Sequence, residues 1–219
     1  MALSIKPWIK WSLLLPLFFT AAAFSGEDKN RQTHDKNRHT YVFECEDGES
    51  FVADIQGTRA WVFLTQGTVE LKQQPDGTFA GDPYRLQLQG SAAQWVNQHQ
   101  QSISCRNNRQ QAIWEAAKLA GVDYRAVGNE PGWVVEIAAD QVRYQGDYGQ
   151  TLWVFDTPPP QIEQTLRQTV YLLANEQQQV TFTIQAKPCM DSMSGVRYET
   201  TAIVQLPGKT LKGCGRALH

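Results

Sequence analysis

From Thr40 onward, apolar and polar residues alternate in short runs, and most runs stop within a few residues of a glycine. YVFECE, SFVADI, AWVFLT, VELKQQ, YRLQLQG and AAQWVNQ follow one another at the regular spacing of an antiparallel sandwich or barrel. A period of two sends successive side chains to opposite faces of a strand, which a helix cannot do. Gly48, Gly57, Gly67, Gly77 and Gly90 stand at or near the breaks, where a turn often needs positive φ. Then the period changes. NNRQQAIWEAAKLAG has Asn107 or Asn108 as an N-cap, an Ala/Leu-rich body and Gly121 as a stop, which predicts one helix of about ten to twelve residues. Alternation returns in YRAVGNEPGWVVEIAA, QVRYQG, TLWVFDT, TVYLLA, VTFTIQA, ETTAIVQL and TLKGCGRAL. DTPPPQIEQTL is a proline-stiffened connection that cannot lie in a central strand. The fold class expected is mainly all-β: two antiparallel β-barrel or sandwich domains, 40–112 and 124–219, joined by one short α-helix at 113–123.

The chain opens with a segment of another kind. Lys6 and Lys10 precede an apolar core from Leu13 to Phe19, and Ala21, Ala22 and Ala23 supply a small-residue cleavage site. Residues 1–25 therefore read as a secretory signal peptide. The run from Trp11 to Phe24 falls short of the ~20 apolar residues of a spanning helix, and Pro16 interrupts it. Residues 26–39, GEDKNRQTHDKNRH, contain no apolar residue and are expected to form a mobile tail. A periplasmic or secreted protein with no stable membrane insertion after cleavage is the expectation.

An oxidising compartment changes how the four cysteines are read. Four cysteines allow three pairings, and the helical segment leaves two on each side of it. Cys45–Cys105 and Cys189–Cys214 are the expected disulfides, each stabilising by roughly 3–4 kcal/mol in the chain-entropy account. Metal sites usually bring cysteines close together or beside histidines. Here the spacing is wide, and His34, His39, His99 and His219 show no ligand spacing, so no metal and no cofactor are expected. The chain carries a formal net charge of −2, and the leader holds two lysines and no acid, so the mature protein is more acidic still. That balance argues against nucleic acid or an anionic membrane surface and favours a basic partner.

Catalytic motifs do not emerge. There is no nucleophile elbow, P-loop, dinucleotide fingerprint or zinc-protease helix in the sequence. Glu44 with Glu46, or Asp147 with Asp156, would make a glycosidase pair only if carboxyl groups alone were enough. At the polar positions of alternating strands they read as a solvated face. Ser194 in CMDSMSGVRY has no base nearby in sequence and reads as part of a disulfide-anchored loop. Trp133 heads a strand with Val135 and Ile137 on its own face, which marks it as a core anchor beside the tight turn at GNEPGW. The protein is expected to bind and not to catalyse.

YVFECEDGESFVADIQGTRAWVFLTQGTVELKQQ followed by YRLQLQGSAAQW resembles the periplasmic C-type lysozyme inhibitors of the MliC/PliC type. The resemblance covers about a third of the chain, residues 40–112. The downstream strings YRAVGNEPGWVVEI and CMDSMSGVRYETTAIVQLPGKTLKGCGRAL resemble an uncharacterised envelope domain found fused behind such inhibitors. The first resemblance implies a compact antiparallel barrel whose loop enters the lysozyme cleft, offering a serine hydroxyl and a basic side chain to two catalytic carboxylates. Ser91 in QGSAAQW falls on the family's serine and Trp95 on its aromatic. The family's Lys-Gly motif is replaced by SISCRNNRQQAIW, in which Arg106 or Arg109 supplies the cation. The other function the sequence allows is an envelope-maintenance or ligand-binding protein whose C-terminal domain does the work.

Non-reducing peptide mapping of the mature protein should recover Cys45 linked to Cys105 and Cys189 linked to Cys214. A Cys105–Cys189 peptide would remove the division of the chain into two β units.

Overall fold

The computed structural model describes residues 38–219, so the leader and residues 26–37 lie outside the described residues. Arg38 and His39, expected in a tail, instead open the first strand, because the Arg38 guanidinium finds the Asp54 carboxylate on the neighbouring strand at 2.9 Å. Eight strands come first: β1 (Arg38–Cys45), β2 (Ser50–Gln56), β3 (Arg59–Leu64), β4 (Gly67–Gln73), β5 (Phe79–Gly81), β6 (Tyr84–Gln89), β7 (Ala92–Val96) and β8 (Ser102–Asn107). Each pairs antiparallel with the next, and β8 returns to β1, so the sheet closes into a barrel. Closure follows from the alternation: Phe43, Ala53, Ala60, Val62, Leu71 and Leu86 all point inward and are fully buried, and a closed sheet leaves no unpaired edge. The Cys45–Cys105 disulfide joins directly opposed residues of the two strands that meet at the seam.

One helix follows at once. α1 spans Arg109–Leu119, four residues ahead of the 113–123 segment expected. The reason is local: Asn108 leaves the strand in an extended conformation, and its side-chain oxygen accepts the Gln111 N–H at 3.1 Å. Gly121, at φ +83°, ends it as expected. The helix runs along the outside of β1 and β2. There the Asp54 carboxylate is almost wholly buried, held by Arg38, Thr40 and Gln56, while Arg38 also donates to the Leu119 carbonyl at 3.3 Å. One buried charge thus receives a full set of donors, and the same guanidinium satisfies an open carbonyl at the end of α1.

The remaining strands are β9 (Val122–Asn129), β10 (Gly132–Ala138), β11 (Gln141–Gly146), β12 (Thr151–Asp156), β13 (Gln161–Glu163), β14 (Gln168–Ala174), β15 (Gln179–Gln185), β16 (Cys189–Met190), β17 (Arg197–Tyr198), β18 (Thr200–Leu206) and β19 (Lys209–Ala217). Nine of them form one curled antiparallel sheet in the order β12-β11-β10-β9-β19-β18-β15-β14-β13. Pro158, Pro159 and Pro160 lie outside any strand, and the connection after them forms only the short β13 at the sheet's edge. Trp133, Val135 and Ile137 face the concave side with Val142, Phe155, Phe182 and Val204. The indole of Trp133 lies flat on backbone: a Cβ on Gly128 or Gly213 would collide with it. The short β16–β17 hairpin is fastened to β19 by Cys189–Cys214.

Trp133→Ala should destabilise the protein by about 3–5 kcal/mol in urea unfolding, because neither glycine has a side chain to refill the cavity. Trp133 Nε1 is buried without a hydrogen-bond partner. Trp133→Phe removes that donor and keeps an aromatic ring, so it should cost clearly less than the alanine variant.

Candidate functional site

Three segments meet at one rim of the barrel. Gly90, at φ +67°, turns β6 into β7 and leaves Ser91 exposed at the start of the returning strand. The Ser91 carbonyl accepts the Asn107 N–H at 2.8 Å, so the turn is pinned to the end of β8. Arg106 stands opposite Ala92 on β7 and opposite Glu44 on β1, an exposed residue in the last barrel strand. Arg109 is the first residue of α1 and is also exposed. A cation in a first turn that contains no acid opposes the helix macrodipole, so helix stability does not account for it. Among the described residues neither Arg106 nor Arg109 has an ion pair.

The two asparagines between these arginines do the fastening, which the sequence reading did not assign to them. Asn107 accepts the Val42 N–H on its side-chain oxygen at 3.0 Å. Asn108 donates its backbone N–H to the Val42 carbonyl at 2.8 Å and its side-chain amide to Glu44 at 2.7 Å while capping α1. The signal was present as a pair of amide side chains at a strand-to-helix junction, where side-chain to backbone hydrogen bonds are common. The structure thus brings Ser91, Arg106 and Arg109 to one rim. Trp95 is not part of it. It is 5% exposed, inside the barrel, stacked on Tyr84 at 5.2 Å and tilted against Phe51 at 4.8 Å. The alternation of β7 turns it inward, into the barrel core with Tyr84 and Phe51 and away from the Ser91 turn, so it does not face a partner.

A second concentration of polar side chains lies on the curled sheet. Asn129, at the end of β9, donates to Asp191 at 3.0 Å, and Asp191 also accepts from Met193 N–H, Ser194 N–H and the Ser194 hydroxyl. Burial pushes the Asp191 carboxyl up, but those hydrogen bonds outweigh it and hold the group below the usual carboxylate range. Ser194 therefore has a carboxylate partner that is already consumed by loop hydrogen bonds, the ordinary arrangement of a structural loop. On the convex face, Arg216, Arg125, Glu136 and Arg143 stand in one cross-strand row, with Arg125 paired to Glu136 and Arg143 at 3.8 Å from it. No group of His, Cys, Asp and Glu among the described residues is arranged to hold a metal ion, and no described helix is long and apolar enough to cross a membrane.

No family model, no curated protein and no solved structure matches this chain.

Because the folded Asp191 pKa is depressed, its stabilisation is present above the ordinary carboxylate range and is lost as pH falls through the lowered value. Asp191→Asn should start from a lower urea midpoint at neutral pH and lose less of it on acidification than the wild type does.

Proposed function

We propose that this protein is an exported inhibitor of C-type lysozymes, a binding protein and not an enzyme, which protects the bacterial cell wall by filling the lysozyme cleft. The observation that carries the reading is the shared rim: Ser91 is pinned to Asn107, the residue after Arg106, and Arg106 is a direct cross-strand neighbour of Ala92. A hydroxyl and a guanidinium a strand apart suit two carboxylates facing each other across a cleft. In the water-poor environment of that cleft, a cation beside them makes charge-assisted hydrogen bonds and keeps the general acid ionised, hence inactive. The rim is preorganised by barrel closure and by Cys45–Cys105, which lowers the entropy lost on binding. Charge supports the same partner. Residues 40–112 hold eight acids against five Lys/Arg, and the target enzymes are basic, so association should strengthen at low salt. Two disulfides fit the oxidising compartment in which such a target is met.

A second reading, an envelope-binding role for the C-terminal module, is favoured by one observation. Asp147 and Tyr148 both adopt left-handed backbone, at φ +50° and +55°, and Tyr148 is 77% exposed beside Gly132. Two consecutive strained residues that hold an aromatic ring in solvent are typical of a recognition point.

A turbidity assay with C-type lysozyme and purified mature protein tests the first reading. Ser91→Ala should weaken inhibition by about 1–2 kcal/mol, roughly five- to thirty-fold, because a hydroxyl bonded to a charged carboxylate is lost. Neutralising the arginine that enters the cleft should cost about 2–5 kcal/mol, and neutralising the other should cost little. Full lysozyme activity in the presence of micromolar wild-type protein would end the inhibitor reading and leave the envelope-binding one.

A further inference from the structure

The outside of a small barrel in water is expected to be polar, yet one row of its strands is not. Val42, Val52 and Phe63 are cross-strand neighbours on β1, β2 and β3, and all three face outward. They are half-buried and line a groove of about 500 Å³. α1 forms one wall of it and contributes Gln111 and Glu115. Glu44 lines the groove as well, from β1. No lysine or arginine lines it. An apolar floor with carboxylates from two different elements matches a long aliphatic side chain that ends in a cation, since the stem is desolvated on the floor while the head stays near the charges.

We propose that this groove receives an arginine or lysine side chain projecting from a basic protein partner, as a second contact beside the rim. Glu44 connects the two regions: it is the cross-strand partner of Arg106 and accepts a hydrogen bond from Asn108, the cap of the helix that begins at Arg109. A protein seated on Ser91 and Arg106 therefore covers the groove mouth. The identity of that partner rests on the lysozyme reading; the chemistry of the groove does not. The arrangement divides the partner's charges, with cations of the rim meeting its cleft carboxylates and acids of the groove meeting its basic surface. Opposite potentials in adjacent regions also fix the orientation of docking and reject partners of uniform charge.

The test has two arms, both on the full mature protein. In the first, Nα-acetyl-arginine amide is titrated to tens of millimolar and followed by NMR, with Nα-acetyl-norleucine amide as the uncharged control. The arginine amide should shift the resonances of Val42, Val52 and Phe63 saturably, the norleucine amide should shift them much less, and the Glu44→Gln/Glu115→Gln double variant should lose the arginine response. Glutamine keeps the size and the acceptor oxygen of each side chain, so the fold and the Asn108 contact are retained. Unshifted groove resonances, an equal response to norleucine amide, or a response that survives in the double variant would each overturn the proposal. In the second arm, the double variant should inhibit lysozyme about three- to thirty-fold less well than wild type, with a shallower dependence on salt. If the wild type does not inhibit lysozyme at all while the first arm succeeds, the groove stands and only its partner's identity changes. Unchanged inhibition by the double variant would remove the groove from the lysozyme contact and overturn its role there.

Discussion

Trp114 carries the joint on which the rest of the molecule depends. An eleven-residue helix has too few internal hydrogen bonds to persist alone in water, so α1 exists only where packing holds it. Trp114 is 5% exposed, with the guanidinium of Arg216 at 4.8 Å and that of Arg125 at 5.5 Å from its ring, and Tyr198 packs at 5.2 Å. Cation–π attraction gains strength from desolvation, which the surrounding Ala117, Val122, Cys214 and Leu218 supply. The row of charges on the convex face is thus more than a solvated stripe: Arg125 and Arg216 leave the strands to clamp the helix. At the other side, Arg38 and Asn108 tie the two ends of α1 to the barrel. One helix therefore belongs to both β modules.

The rim and the groove follow from that anchoring. β8 must return to β1 to close the barrel, and this return puts Arg106 between Ala92 and Glu44. The chain then passes directly into α1, whose cap is already bonded to β1. The Ser91 turn and the Asn107–Asn108 junction are each tied to a neighbouring strand by hydrogen bonds. A site built on strand ends, a disulfide and a capped helix keeps its geometry in the free protein, which lowers the entropy lost when anything binds there. The same helix walls one side of the outward apolar row and so converts a surface patch into a groove.

The curled sheet joins two stretches that are far apart in sequence. The GNEPGW turn and the CMDSMSG loop meet where Asn129 bonds Asp191, and Trp133 is flanked by Gly128 and Gly213. Glycine is required at both positions because the indole occupies the space of a side chain. Cys189–Cys214 fastens the loop to the strand that carries Gly213. Several unusual residues of this module thus support one another around one tryptophan, and Tyr148 adds to them with its ring against Gly132 and its hydroxyl 3.5 Å from the Asn129 carbonyl.

Period, turn residues and cysteine count are enough to read most of the barrel strands, though not the short β5, together with the intervening helix with its asparagine cap and glycine stop, the inward face of Trp133 and both disulfides. These are local properties, or properties that a choice among three pairings can settle. The helix start is legible in Asn108, but the expected span 113–123 begins late because a strand passing straight into a helix leaves no loop to mark the boundary. Other features were not legible. Val42 and Val52 occupy the polar phase of their strands, and nothing local says that their neighbours on adjacent strands are apolar too. Trp95 matches a contact residue by motif, yet the phase of β7 turns it inward. Arg38 reads as tail, and Asn107 and Asn108 read as a helix cap with no sign of their bonds to β1. Each owes its role to a partner distant in sequence: Arg38 reaches Leu119 81 positions away, Asn107 reaches Val42 across 65, and Asn108 reaches Glu44 across 64. The sequence by itself determined the longer strands and which face of each is apolar, because backbone sterics and burial act residue by residue, whereas the short β5, β13, β16 and β17 form only where a neighbouring strand pairs with them. Only the tertiary structure decided which outward residues form a rim or a groove, because that depends on which strands barrel closure and helix docking bring side by side.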